Sequence, residues 1–143
     1  MVDPTGPLIV ELRNAGIAGG RVRGGEPAPK ANGYEGDALG PGHYKRFVVL
    51  SRLGFDRLHR TPVAFHRIGI RAYGATYQDA AALYGEISDL LDNGGPRVSG
   101  SGAPIYQSLD ISGGNAAADP DTGQPYEAGV IELIAGTEVL AGS

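Results

Sequence analysis

Apolar positions set the first divisions of this 143-residue chain. From Thr76 to Asp92, Ala80, Leu83, Tyr84, Ile87, Leu90 and Leu91 recur at the three-and-four spacing that lays one stripe along an α-helix. Thr76 and Asp79 stand as N-cap and third helical residue, a capping box with Asp in place of Glu, and Asn93-Gly94 followed by Pro96 ends the helix. Just upstream the period changes to two. In Pro62–Gly74, Ala64, His66, Ile68, Ile70 and Ala72 fall on one face of a strand, with Val63, Phe65, Arg67, Arg71 and Tyr73 on the other. Lys45–Gly54 alternates likewise, with Arg46, Val48, Leu50 and Arg52 opposite Phe47, Val49 and Leu53; "FDRLHRT" joins the two. Arginines at alternate positions of both strands suit a sheet face that meets solvent or a partner. Two more strands, "PIYQSLDISGG" and "PYEAGVIELIAG", flank the turn "DPDTGQ".

The N-terminal "DPTGPLIVELRNAGIAGG" predicts a short helix, with Thr5 as its N-cap, Pro7 in its first turn, a stripe of Leu8, Ile9 and Leu12, and Gly16 as its stop. "GRVRGG" has room for a brief strand only. Between Gly24 and Tyr44 the chain is dense in Gly and Pro and shows almost no periodicity. Loops of that length in compact domains are usually functional or disordered. The predicted fold is therefore α+β. Residues 1–143 form a single domain, with an antiparallel four-stranded sheet packed by two helices and a long Gly/Pro-rich loop at 24–44.

Charge adds a second pattern. Residues 1–71 hold eleven Lys/Arg against six Asp/Glu, a balance of +5, whereas residues 72–143 hold Arg97 alone against ten acids, a balance of −9. Two solvated faces of opposite sign would account for this. So would head-to-tail self-association, in which the basic side of one copy meets the acidic side of the next and the assembly closes into a ring. The basic candidates for such a subunit interface are Arg46, Arg52, Arg67 and Arg71, and the acidic ones are Glu86, Asp89 and Asp92. Asp89 and Asp92 occupy the last helical turn, where the dipole disfavours negative charge by about 0.3–1 kcal/mol each, so they call for a partner. In the long loop, Lys30, Tyr34, Tyr44 and Lys45 are the residues suited to docking on another surface, since tyrosines bury rings while keeping a hydroxyl available.

The remaining chemistry excludes more than it offers. No cysteine is present, so disulfides and thiolate catalysis are out. No apolar run approaches the roughly 20 residues of a membrane span, and "MVDPTGP" lacks the basic and apolar regions of a signal peptide. "YGATYQD" offers a phosphate one glycine, no lysine and a repelling acid, so the strand–helix junction reads as scaffold. His43, His59 and His66 lack metal-ligand spacing, and His66 lies on the apolar face of its strand as core histidines do. "DPDTG" begins like a calcium loop, but Val130 stands where the bidentate Glu belongs, so a hairpin turn is expected. Neither a cofactor nor a metal is predicted.

The run "IGIRAYGATYQDAAALYGEISDLL", the Gly/Pro-rich break after it, "DPDTGQP" and the closing strand "YEAGVIELIAG" resemble tail terminator proteins of long-tailed, siphovirus-type bacteriophages. The likeness spans about residues 45–140 and includes a strand ending in Tyr73-Gly74, a helix with Ala and Leu at core positions, and a late Asp-Pro turn. It rests on order and spacing, with the 24–44 loop the least family-like part. The resemblance implies a non-enzymatic virion protein at the head-proximal end of the tail, assembled in the host cytoplasm. Such a protein forms a ring, expected to be a hexamer, that stops growth of the tail tube and joins it to the head connector. Its partners would be its own copies, the major tail tube protein and the head–tail connector or stopper protein, with DNA only passing through the lumen and no membrane involved. Two alternatives remain open. One is a head-to-tail stopper or connector completion protein. The other is a small cytoplasmic α+β enzyme or anion-binding domain using the Arg67, Arg71 and Tyr73 face.

Overall fold

A computed structural model describes residues 5–24, 46–57, 63–92, 94–98, 104–119 and 123–136. The predicted long loop and its docking residues Lys30, Tyr34, Tyr44 and Lys45 lie outside the described residues, as do His43, His59, Asn93 and the tip of the Asp-Pro turn. The elements run α1 (Thr5–Asn14), a 3-10 turn (Ile17–Gly20), β1 (Val22–Gly24), β2 (Phe47–Arg57), β3 (Val63–Tyr73), α2 (Tyr77–Leu91), β4 (Arg97–Val98), β5 (Pro104–Ala118) and β6 (Pro125–Gly136).

The strands form one six-stranded sheet in the order β1-β2-β3-β6-β5-β4. β1 runs parallel to β2, from Val22 opposite Val48 to Gly24 opposite Leu50, and the other pairings are antiparallel. This corrects the predicted α+β fold with its antiparallel four-stranded sheet. The molecule is mixed α/β, with a mixed, open sheet of six strands and two helices. Of the two extra strands, β1 falls in "GRVRGG", where there was room for a brief strand, and both are so short, three and two residues, that period-two alternation cannot register. A parallel neighbour also needs a crossover of about a dozen residues, and residues 25–46 separate Gly24 from Phe47.

Three further boundaries move. β2 continues to Arg57 because a bulge between Arg52 and Gly54 absorbs the break in its pattern. β5 likewise runs on to Ala118 through irregularities between Ile105 and Gln107 and from Asp110 to Asn115. Thr5 belongs to the first turn of α1 instead of capping it. Gly16 stops that helix as expected, in the left-handed region at φ 77°, where a side chain would be strained.

Both helices cover the same sheet face. Leu8 and Leu12 of α1 and Leu83, Tyr84, Ile87 and Leu91 of α2 pack on Val48, Leu50, Ile68, Ile70, Ala72, Ile105, Ile131 and Leu133. Each fully buried aliphatic side chain contributes about 1.5–3 kcal/mol, which makes this layer the main source of stability. α1 touches β1 and β2, whereas α2 lies over β6, β5 and β3. Leu90, expected in the buried stripe, is 39% exposed, because it sits at the margin of the face. His66 is fully buried on the helix-covered side of β3.

One arginine fastens the two helical ends of this layer. Arg97 of β4 reaches Glu11 of α1 (Nε to Oε1, 2.9 Å) and donates from Nη2 to Ser108 of β5 (3.2 Å). Ser108 in turn donates its hydroxyl to the Leu91 carbonyl at the end of α2. The only basic residue of the acidic half is thus spent inside the fold.

Candidate interaction surfaces

The sheet face opposite the helices is where period-two alternation places Phe47, Val49, Arg67, Gly69, Arg71 and Tyr73, together with Tyr126, Ala128, Val130, Glu132 and Ile134 of β6. At one end Phe47 and Tyr73 stack with ring centroids 4.2 Å apart, and Tyr126 tilts against Tyr73 at 5.2 Å. The Arg71 guanidinium lies over the Tyr126 ring, 4.7 Å from its centroid. Arg67 pairs with Glu132, directly opposite on β6, at 3.8 Å. In the middle, beside Gly69, lies a groove of about 340 Å³ bordered by Leu53, Arg71 and Val130. Leu53 is 58% exposed there, an apolar side chain offered outward from the bulge in β2. Burial raises the Tyr73 phenol above its ordinary pKa, and the neighbouring Arg71 guanidinium partly offsets this.

The interface residues expected from the charge pattern therefore fall into distinct places. Arg67 and Arg71 share the helix-free face, each already engaged within the chain. Arg52 is exposed at the β2 bulge. Arg46 faces the start of α2, where its Nε lies 3.2 Å from Asp79 Oδ1 and its Nη2 lies 3.5 Å from Glu86 Oε2. A basic and an acidic candidate thus meet inside one subunit. Half-exposed pairs of this kind are worth about 0–1 kcal/mol.

The two acids at the end of α2 differ. Asp92 Oδ1 accepts the backbone N–H of Asp110 at 3.0 Å, so the unfavourable charge at this helix end has a partner on β5. Asp89 is exposed, and among the described residues no ion pair reaches it. Between α2 and β5 lies an open cleft of about 620 Å³ bordered by Tyr84, Ser88, Asp92, Asp110, Ile111 and Glu127. Its acids are largely committed: Asp110 accepts from Tyr84 Oη (3.2 Å) and from Ser88 Oγ (2.8 Å). Among the described residues no three His, Asp or Glu side chains converge as a metal ion would require.

Asp110 and Glu127 at the cleft, and Tyr126 and Glu132 on the sheet face, are not singled out by the sequence pattern. Each becomes visible only through register. Counting back from Tyr73 opposite Tyr126 puts Glu132 beside Arg67, a pairing that a correct hairpin order would have exposed.

Burial first, and then the Asp110 carboxylate, push the Tyr84 phenol well above the usual tyrosine range. A phenol whose folded pKa is raised adds stability that is whole below the unfolded value of about 10 and is lost as pH climbs above it. Denaturant midpoints measured from pH 8 to 11.5 should therefore fall less steeply for Tyr84→Phe than for the parent chain. Equal slopes for the two proteins would show that the Tyr84 phenol is not held buried beside Asp110 in solution.

No helix among the described residues is long and apolar enough to cross a membrane. Compared with models of known protein families and with curated proteins, the sequence matches none of either.

Proposed function

We propose that this chain is a ring-forming virion protein that terminates a phage tail tube and joins it to the head connector, with DNA passing through the lumen. The observation that carries this reading is lateral. The basic half of the chain builds β1, β2 and β3, the acidic half builds β6, β5 and β4, and these halves lie side by side in the sheet. Among the described residues, the strands of the basic half therefore lie to one side of the strands of the acidic half. Opposite signs on opposite edges favour head-to-tail contact over a two-fold one, because like edges repel. Rim charges select orientation more than they add affinity.

Two further features support the reading. The helix-free sheet face has a groove bordered by an outward Leu53, which suits contact with another protein. The anion-binding alternative is weakened because Arg67 and Arg71 already serve Glu132 and Tyr126. Resemblance to tail terminators along residues 45–140 supplies the specific identity of the ring.

Light scattering after size-exclusion chromatography tests this directly, with and without purified tail tubes. The expected result is a discrete multimer that binds tube ends, seen by negative-stain microscopy as a ring with an open centre. A protein that stays monomeric at high concentration and leaves tube ends bare would overturn the proposal.

A further inference from the structure

We infer that copies of this chain join face to back. The outer side of α2 in one copy packs on the helix-free sheet face of the next, with Asp89 on Arg71 and Leu90 against Leu53. This rests on the ring reading above and specifies its contact.

Each side of that contact lacks what the other offers. Among the described residues, the groove beside Gly69 is bordered by Leu53, Val130 and two arginines, Arg52 and Arg71, and by no acid. Leu53 lies over Gly69, its methyl carbons 3.3 and 3.4 Å from where a Cβ would stand, and is 58% exposed. Arg52 has a partner of its own within the chain, so the cation on offer is Arg71. Arg71 meets Tyr126 through the flat face of its guanidinium. That contact leaves the N–H groups, which lie in the plane, and among the described residues no carboxylate pairs with them. A lone stacked guanidinium holds a free anion poorly. It suits a carboxylate delivered by a packed neighbour, whose burial strips water from the pair.

The outer side of α2 is the complement. Glu86, Asp89 and Leu90 stand three and four residues apart, so they share one side of the helix, turned from the sheet that Leu83, Ile87 and Leu91 face. Glu86 is taken by Arg46 at 3.5 Å. Asp89 has no ion pair among the described residues and sits in the last turn, where the dipole disfavours it. Leu90, next to it, is 39% exposed. An unpaired acid beside an exposed leucine matches a guanidinium beside an exposed leucine in both charge and polarity.

Geometry makes a second copy the occupant. Both helices cover one face of the sheet, and the groove opens on the other. The outer side of α2 and the groove therefore face away from each other, and no single chain can join them. Stacking the helix layer of one copy on the helix-free face of the next places α2 between two sheets, a common way for a sheet to cover both faces. The two surfaces differ, so the contact is heterologous, and it closes into a ring where the rotation allows. A two-fold contact through either surface would set Arg71 against Arg71 or Asp89 against Asp89, which repel.

The chain has no cysteine, so introduced thiols report only on themselves. Leu53→Cys and Leu90→Cys, mixed in equal amounts and treated with a short bis-maleimide, should give a covalent dimer on a denaturing gel. Either variant alone should stay monomeric, and the double variant should give a ladder of multimers. Asp89→Lys should raise the concentration at which multimers form by roughly tenfold or more, and adding Arg71→Glu should restore assembly. Asp89→Lys also relieves the helix dipole, so its monomer should melt no lower than the parent, which separates lost assembly from lost folding. Rings that form without the mixed dimer, or that Asp89→Lys leaves intact, would overturn this contact and leave the ring reading standing. Dimers from either single variant alone would overturn it in favour of two-fold pairing, and cross-links made only to tube protein would overturn it in favour of that partner. If the parent forms no multimer at all, the ring reading falls and this contact falls with it.

Discussion

Replacing Gly74 with alanine should destabilise the protein by about 3 kcal/mol or more. A Cβ built at Gly74 would lie 2.5 Å from the Ala80 nitrogen and 2.9 Å from both Ala80 Cα and the Asp79 carbonyl carbon. These are backbone atoms of the first turn of α2, so no rotamer change can relieve the clash. Nor can the turn retreat cheaply. Thr76 Oγ1 accepts the Asp79 N–H at 3.1 Å, and Asp79 Oδ2 accepts the Ala75 N–H at 3.0 Å, which fixes the helix start at this distance. Gly74 itself is held from the other side, donating to the Pro125 carbonyl at 3.1 Å and accepting from Gln124 Nε2 at 3.4 Å. Gly85 provides the control. It lies within α2, and a Cβ there would meet nothing within 4 Å. Gly85→Ala should therefore raise stability by about 0.5–1 kcal/mol through helix propensity alone. Urea midpoints of the two variants should move in opposite directions. A loss below about 1 kcal/mol for Gly74→Ala would mean that the strand–helix junction is looser than drawn.

Phe47→Ala should cost about 3–5 kcal/mol, a large share of the 5–15 kcal/mol that holds a typical domain together. Phe47 is fully buried although it lies on the sheet face away from both helices. Its ring stacks on Tyr73 at an interplanar angle of 7°, and with Val49 and Tyr126 it forms a second, smaller core. Removal leaves a void against the Tyr73 ring and forfeits an aromatic contact worth about 0.5–1.5 kcal/mol beyond area. Thermal unfolding should fall by on the order of 10 °C for a domain of this size. A drop of less than about 3 °C would show this aromatic cluster to be peripheral, with nearly all stability in the helix-covered layer.

These two sites also mark how far the chain could be read before folding. Tyr73-Gly74 was legible as the end of a strand and the start of a capped helix, since Thr76, Asp79 and the spacing from Ala80 to Leu91 are local signals. The glycine's purpose was not legible. It depends on how closely α2 folds back on β3, a distance no pattern encodes. Phe47 was readable as belonging to the face opposite Val48 and Leu50, but nothing nearby in sequence announces that it meets Tyr73, because β2 and β3 must first pair. The interface candidates divide the same way. Composition revealed the opposite charges of the two halves, whereas folding alone showed Arg46 beside Asp79 and Glu86, and Asp92 beside Asp110.

By itself the sequence determined the two helices, the presence of the long strands, which residues share a face in β2 and in β3, and the division of charge along the chain. Each of these follows from interactions among residues a few positions apart, or from simple counting. Tertiary structure decided the order of strands, with β6 inserted between β3 and β5, the parallel seat of β1 beside β2, and the short β4 that completes a six-stranded sheet. Those depend on hydrogen-bond register between distant segments, where period-two alternation fixes the face of a residue but not its neighbour. The charge division became a division between neighbouring strands for the same reason. Only the strand order sets the basic half to one side of the acidic half.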